Sequence, residues 1–431
     1  MSSTDTWVLE EAEAAVGKIR VVGGPATGAE HAFVDPHAVL GSGAAASLVV
    51  ADPTISRLHC ELSHERGLVR LRDLGSKNGC RVAGTLVLDA LLAPGTRVQV
   101  GASTIEITIA RERRKRVRWL GGDRFGELFG ASVPMQDLFG LAAHVASLES
   151  PVLVRGESGS GKELLARALH AGGPRRAGPL VVLDCAGLTS SVADVELFGY
   201  VRGAFTGADG ERPGVFERAS GGTLLIDEIA ELPLELQTRL LRALDRSEVR
   251  RVGDSRYRSV DVRVIALTSA DLERRVNEGS FREDLLHRLG VIELRVPALR
   301  ERGRDAIALA RELAVEAGVR DSTVIEAVER EVAGRSGYQW PGNVRELRSY
   351  VRRALALGTG ETGKPDAGAR LPIVRLDVDF HEAKREWLET FERQYLRALL
   401  DACGGNVSEA ARRAGLNRAH LHEMIDKLGL R

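Results

Sequence analysis

Cysteine is scarce in this chain. Four occur among 431 residues, Cys60, Cys80, Cys185 and Cys403, and no two are spaced as C-x-x-C. That scatter argues against a disulfide framework and a zinc site and suits a reducing cytosol. Net charge is missing too, because 60 basic residues balance 60 acidic ones. Any nucleic-acid binding must then come from a local patch and not from the global field. No apolar run approaches the ~20 residues of a membrane span, and the N-terminus lacks the shape of a signal peptide. A soluble cytoplasmic protein with no membrane partner is expected. What is present is 44% apolar residues, enough for a sizeable core. The length accommodates roughly three domains of ~150 residues each.

The most informative stretch is Val152 to Glu163, V-L-V-R-G-E-S-G-S-G-K-E. Val152, Leu153 and Val154 predict a short buried strand. Gly156, Glu157, Ser158, Gly159, Ser160 and Gly161 form a loop, and Lys162 opens an amphipathic helix. Such a loop turns backbone N–H groups and a helix N-terminus towards an anion, and the lysine adds a point charge. A purely structural strand–turn–helix corner would not explain a lysine after so many small residues. Glu163 departs from the generic pattern, which has Ser or Thr there to hold magnesium. A second motif follows about 60 residues later, G-G-T-L-L-I-D-E from Gly221. Its strand ends in two carboxylates, and ligands of parallel sheets sit at the carboxyl ends of strands. Asp227 is placed to hold Mg2+ through water, and Glu228 to polarise an attacking water. Either carboxylate alone reads equally well as a helix cap.

Before these motifs the periodicity is two. Ile105, Ile107 and Ile109 alternate with Glu106 and Thr108, and Val69 and Leu71 with Arg70 and Arg72. Short strands and glycine-rich turns predict a sandwich, with Asn78-Gly79 a tight turn. The residues Ser56-Arg57-Leu58-His59, Asp73-Leu74-Gly75-Ser76 and Asn78-Gly79 resemble the forkhead-associated (FHA) domain, over about Val21 to Ile109. The resemblance implies recognition of phosphothreonine. Ser56 and Arg57 would meet the phosphate, Asn78 would hold the peptide backbone and His59 would brace the loop. A dianion does call for a cation with hydroxyl and amide donors. Where the family often has Arg after an early glycine, this chain has Ser42 after Gly41. The charge run R-E-R-R-K-R-V-R, Arg111 to Arg118, reads as a solvated boundary.

From Phe125 strands and helices alternate, as in an α/β sheet. Between the two phosphate motifs lies a loop of small residues with one aromatic at its tip, Gly203, Ala204, Phe205, Thr206, Gly207 and Ala208. Glycines on both sides permit bending, and an aromatic on a loop reads as a docking element. This G-A-F-T-G-A string resembles the signature of the AAA+ activators of sigma-54 RNA polymerase. With it go G-E-S-G-S-G-K-E, E-L-F-G, F-R-E-D-L-L-H-R-L and W-P-G-N-V-R-E-L, over about Phe129 to Leu357. The resemblance implies ATP hydrolysis with Mg2+ in a ring, from dimer to hexamer, and contact of the Phe205–Thr206 loop with sigma-54. Glu163 is normal in that family. Arg282 and Arg288 would reach a neighbour's ATP as arginine fingers, and Arg345 would sense the nucleotide of its own subunit. Two positions depart from the pattern. Asp184 replaces an Asn that restrains the catalytic glutamate, and Ser269 replaces an Asn that senses the γ-phosphate.

Gly358 to Pro372 reads as a linker. Beyond it, Asn406-Val407-Ser408-Glu409 resembles a capping box, Gly415 ends a helix and Asn417 opens another. Two short helices around a tight turn predict helix-turn-helix. Gly405 to Leu430 resembles the Fis-type DNA-binding domain. Arg412 and Arg413 would meet phosphates, with Arg418, His420, His422 and Lys427 on the reading helix. The expected protein is multidomain. An all-β FHA sandwich spans 18–110 and a basic linker 111–124. An α/β AAA+ P-loop ATPase with a helical lid spans 125–357, a linker 358–380, and an all-α helix-turn-helix 381–431. The function expected is an ATP-driven activator that binds upstream DNA and remodels sigma-54 polymerase, regulated through its FHA domain by a phosphothreonine protein or a Ser/Thr kinase. The alternative is a DNA-bound regulator or FHA scaffold with a weak or inactive ATPase.

Overall fold

The computed structural model describes residues 7–357, apart from 34–36, 45, 66 and 336, and residues 396, 399, 407–414, 417, 421 and 425 further on. The period-two pattern builds two sheets. One orders the strands Glu30–Phe33, Trp7–Gly23, Ser103–Trp119, Arg97–Val100, Cys80–Val82 and Thr85–Val87. The other orders Leu48–Val49, His37–Gly41, Cys60–Glu65, Leu68–Asp73 and Asp89–Leu92. Ile105, Ile107, Val69 and Leu71 are fully buried, whereas Thr108 and Arg70 between and beside them are exposed. Leu40, Leu62, Val98 and Ile105 meet in the core between the sheets. Burying one such side chain stabilises the fold by roughly 1.5–3 kcal/mol.

The charged run is not a linker. Arg111 to Arg118 lies inside one strand, Ser103–Trp119, which pairs antiparallel with Trp7–Gly23. The register sets Glu10, Glu11 and Glu13 opposite Arg116, Lys115 and Arg113. Along the ribbon Arg118 pairs with Glu10 at 3.5 Å and Lys18 with Glu112 at 2.9 Å, and opposite charges across strands contribute about 0.2–1 kcal/mol per pair. The ribbon continues the sandwich and ends on the next domain. Trp119 packs edge-on to Phe125 and Phe139, with ring centroids 5.6 and 6.1 Å away, and Trp7 meets His144 at 5.0 Å. Gly140 allows this approach, since a Cβ there would stand 2.8 Å from the Val117 carbonyl oxygen.

The α/β domain is a five-stranded sheet ordered Leu180–Asp184, Thr223–Asp227, Arg263–Thr268, Val152–Arg155 and Ile292–Arg295. All neighbours in it are parallel. Parallel sheets are covered on both faces, so successive residues all need apolar surroundings. Leu153, Leu224, Ile226 and Ala266 pack on one side, and Val152, Val154, Leu225, Ile265 and Leu267 on the other. This is why the strands read as continuous apolar runs. A helical lid follows. Its helices Asp305–Glu316, Ser322–Ala333 and Asn343–Leu357 close around Trp340, Leu313, Val328, Leu347 and Val351.

From Leu357 onward the chain forms a separate compact unit. Among its described residues, the helix Val407–Ala414 buries Ala410 and Ala411 with Leu396, Leu399, Leu421 and Ile425. Among the described residues no helix is long and apolar enough to cross a membrane.

Candidate active site

The phosphate loop leaves the Val152–Arg155 strand and enters the helix Lys162–Ala171. Gly156, Gly159 and Gly161 have φ of 156°, 75° and 109°. At Gly159 a side chain is excluded twice, by the left-handed backbone and by the Gly342 carbonyl oxygen 2.4 Å from its would-be Cβ. Lys162 is 7% exposed. Its Nζ donates to the Gly156 carbonyl (2.9 Å) and lies 3.8 Å from Glu228 Oε1. Burial lowers the pKa of this ammonium, and the Glu228 and Asp227 carboxylates oppose that. Ser160 Oγ is buried without a hydrogen-bond partner among the described residues. A buried cation, a glycine cradle and an orphaned hydroxyl fit an incoming phosphate chain.

Asp227 and Glu228 stand at the carboxyl end of the Thr223–Asp227 strand, which is separated from the phosphate-loop strand by Arg263–Thr268. Burial raises the Asp227 carboxyl above its usual range, and the Glu228 and Asp184 charges add to the rise. Glu228 has φ 45°, a left-handed backbone rare for a non-glycine residue. Its carboxylate accepts from the Ser269 amide (3.1 Å) and from Ser269 Oγ (2.9 and 3.0 Å). Ser269 thus spends both donors on Glu228. Asp184 does not bond to Glu228 and instead accepts from the Ala186 amide at 2.9 Å. The residue holding the glutamate is Ser269, after the strand on one side of Thr223–Asp227, and not Asp184, at the end of the strand on the other side. Glu163 turns to Arg167 along the exposed helix face (3.0 Å), so it takes no part in the cradle.

The lid sits directly on the loop. Arg345 Nη1 donates to Ser158 Oγ (2.9 Å), and the Val344 amide to the Gly159 carbonyl (3.0 Å). Asn343 donates to the Ser158 carbonyl and to Glu157 (both 3.1 Å), and accepts from the Leu299 amide (2.7 Å). Arg300 also holds Glu157 (2.8 Å), and these bonds draw its carboxyl down to about 2, the Arg300 bond contributing most. Fully buried Arg302 donates to the Ser160 carbonyl and to the Pro297 carbonyl. Burial pushes it down to about 10. Asn343, Arg300 and Arg302 are contacts that sequence reasoning did not single out. Only P-G-N, a turn before a helix, pointed to the first.

Arg282 precedes the helix Glu283–Leu289, and Arg288 lies in its last turn. Arg282 pairs with Asp284 (2.9 and 2.7 Å), and Arg288 with the Leu244 carbonyl (2.9 Å) and Asp245 (3.0 Å). The Phe205 loop closes on itself through Gly203 N–H to the Ala208 carbonyl (2.9 Å) and Ala208 N–H to the Phe205 carbonyl (3.0 Å). Phe205 is 46% exposed and leans on Tyr200, centroids 5.1 Å apart. Thr206 is exposed beside it, and Gly203 and Gly207 take φ 80° and 94°.

In the sandwich, His59 is buried; its Nδ1 accepts from the Ser56 amide (3.0 Å) and its Nε2 faces the Gly79 carbonyl (3.2 Å). Both ring nitrogens are used, so the nearby Asp73 and Cys80 do not make a metal site with it. Ser56 Oγ accepts from the Lys77 amide (3.0 Å), and Asn78 Nδ2 donates to the Thr54 carbonyl (2.7 Å). Ser42 Oγ donates to the Ile55 carbonyl (2.8 Å). Arg57 reaches out of the sandwich and donates to Glu283 Oε2 at 2.9 Å. Of the candidate DNA contacts, Arg412 and Arg413 are exposed on the helix Val407–Ala414, and Arg412 pairs with Glu409. Arg418, His420, His422 and Lys427 lie outside the described residues.

A nucleotide cradle at the end of a parallel sheet, closed by a helical lid, defines a P-loop ATPase fold of the AAA+ kind. Family models agree segment by segment. Residues 128–295 match the sigma-54 interaction domain, 300–367 the AAA+ ATPase lid domain and 388–428 the bacterial regulatory protein Fis family. Residues 20–110 match the cytoplasmic domain of an inner membrane component of the type III secretion system. Transcriptional regulatory protein ZraR of Escherichia coli is 42% identical over 300 residues, 69% of this chain and 68% of that one. Nitric oxide reductase transcription regulator NorR2 of Cupriavidus necator is 40% identical over 347 residues, 72% of this chain and 64% of that one. A solved FHA domain, described through phosphothreonine-dependent interactions, is 25% identical over 22% of this chain and 97% of that one, with a TM-score of 0.21. The chain belongs to the sigma-54-dependent transcription regulators. It spans 62–64% of the length of the first curated relatives it matches.

Proposed function

We propose that this chain is a cytoplasmic, ATP-driven transcription activator. Its C-terminal unit binds upstream DNA, its ATPase domain works as a ring of copies, and the Phe205 loops press on sigma-54 polymerase to open a promoter. The observation that carries this is the meeting of Lys162, Asp227, Glu228 and Ser269 at one end of the sheet, under the lid. Lys162 neutralises the phosphates. Glu228 accepts a proton from the attacking water once it leaves Ser269. Asp227 would hold Mg2+, which supplies charge neutralisation at the phosphates. Arg345 reports the occupancy of the loop to the lid through Ser158. Arg282 and Arg288 exchange their present partners for a neighbour's γ-phosphate, a contact worth on the order of a thousandfold in rate. The sandwich receives a phosphothreonine signal.

The test is open-complex formation with purified chain, sigma-54 polymerase, ATP and a promoter carrying its binding site. Wild type should open the promoter. Phe205→Ala should hydrolyse ATP without opening it, and Glu228→Ala should do neither. Opening by Phe205→Ala at the wild-type rate would refute the docking role.

A further inference from the structure

Part of the sandwich's phosphate-reader-like loops rests on two short helices, Leu272–Asn277 and Glu283–Leu289, while the Arg57 side chain stays 61% exposed. The second helix follows Arg282 and contains Arg288, the two candidate arginine fingers. Arg57 Nη1 donates to Glu283 Oε2 at 2.9 Å, and a Cβ on Gly43 would stand 2.6 Å from Glu283 Oε1. Asn277, at the end of the helix Leu272–Asn277, donates through Nδ2 to the Leu74 carbonyl (2.9 Å) and to the Leu58 carbonyl. His287 bonds the Ala44 carbonyl from the next turn of the Glu283–Leu289 helix. Arg72 reaches Asp271 at 2.9 Å. Beneath these polar contacts Ala46, Leu58 and Leu74 are buried in the same cluster as Leu272, Val276, Leu285 and Leu286. Two of the buried sandwich residues, Leu58 and Leu74, are 0% and 1% exposed. An apolar contact so dry, rimmed by five polar ones, is built as an interface and not as a chance touch.

The chemistry of the central pair is specific. Arg57 is the guanidinium that would take a phosphate, and here it holds a carboxylate. A carboxylate is the side-chain group that best imitates a phosphate oxygen pair for arginine. A phosphothreonine, with nearly twice the charge at neutral pH, competes for the same donor. Glu283 is also the residue next to Arg282, and its helix ends at Arg288's turn. One guanidinium therefore couples an outside anion to the finger helix.

We propose that Glu283 occupies the sandwich's phosphate site as an internal mimic. Docking on the finger helix and binding of a phosphothreonine peptide then exclude one another. The docked sandwich restrains Arg282 and Arg288, and the phosphopeptide frees them. This deepens the regulatory part of the function proposed above and rests on it for the role of the fingers, but the docking itself is testable without any ATP turnover.

The experiment titrates full-length chain into a fluorescein-labelled peptide pool carrying one phosphothreonine, with the threonine pool as control. Glu283→Ala empties the site, so its apparent Kd should fall about tenfold or more below wild type, because the docked fraction no longer subtracts from binding. Asn277→Ala loosens the same contact without touching Arg57 and should tighten binding in the same direction. Arg57→Ala should lose binding in every background. ATP turnover of Glu283→Ala and Asn277→Ala should rise several-fold over wild type. Equal peptide affinity for wild type and both loosened variants, or no phosphate-dependent binding by any of them, overturns the proposal. If affinity shifts as expected while no form turns over ATP, the mimic stands and the motor reading fails.

Discussion

Ser269 is the residue on which the chemistry turns. Its N–H and Oγ both hold the carboxylate of Glu228, the base of the proposed function. A hydrogen bond to a charged group is worth about 1.5–3 kcal/mol. Removing the hydroxyl by Ser269→Ala leaves the amide and should release Glu228 roughly tenfold more often. Phosphate release without polymerase should then rise several-fold, with KM for ATP little changed. A fall in turnover would mean that Ser269 positions the carboxylate and does not restrain it. Lys162 sets the other limit. Lys162→Ala removes the one buried ammonium of the cradle, and nucleotide binding measured by fluorescent ATP should be lost. The glycine loop, Lys162 and the paired carboxylates were all legible in the sequence, because each lies within a few residues of its motif. The Ser269–Glu228 contact was not. It depends on how side chains point at strand ends that lie side by side, since the strands ending at Asp184 and before Ser269 both flank Thr223–Asp227. Asp184 satisfies a local amide instead, as a short carboxylate after a strand can.

At the scale of elements, the ribbon of Trp7–Gly23 with Ser103–Trp119 replaces the expected linker. A charge run read alone is a solvated face; the acidic partner that makes it a strand lies far off along the chain. Periodicity carries local structure well and long-range pairing poorly. The consequence is a stiff strut between sandwich and ATPase domain, seated on the helix Val133–Ala146 by Trp119 and Gly140. Gly140→Ala tests the seat. In an exposed helix this change would stabilise by about 0.5–1 kcal/mol. Here the added methyl meets backbone at 2.8 and 3.2 Å, and overpacking of that kind costs about 1–3 kcal/mol. The clash should win, so the urea midpoint should fall and hydrogen exchange should rise in 111–119 and 133–146. A midpoint at or above wild type would mean that the ribbon's end moves aside freely.

At the scale of the whole molecule, the proposed function gives each chain half of two sites. In it Lys162, Asp227 and Glu228 would serve the chain's own nucleotide; Arg282 and Arg288 pair with Asp284 and Asp245 away from that cradle. If the fingers act on a neighbour, activity belongs to interfaces between copies and not to chains. Two inactive variants should then repair one another. Glu228→Gln keeps its fingers but cannot activate water, and Arg288→Ala keeps its glutamate but lacks a finger. Neither alone should turn over ATP appreciably. Mixed in equal amounts, an interface works when the site comes from Arg288→Ala and the finger from Glu228→Gln, which random assembly provides in about a quarter of interfaces. Steady-state turnover of the mixture should approach that share of wild type at chain concentrations where assembly is complete, and should vanish on dilution. A finger working within its own chain predicts no recovery at any ratio, because every chain in the mixture would still lack one of the two groups.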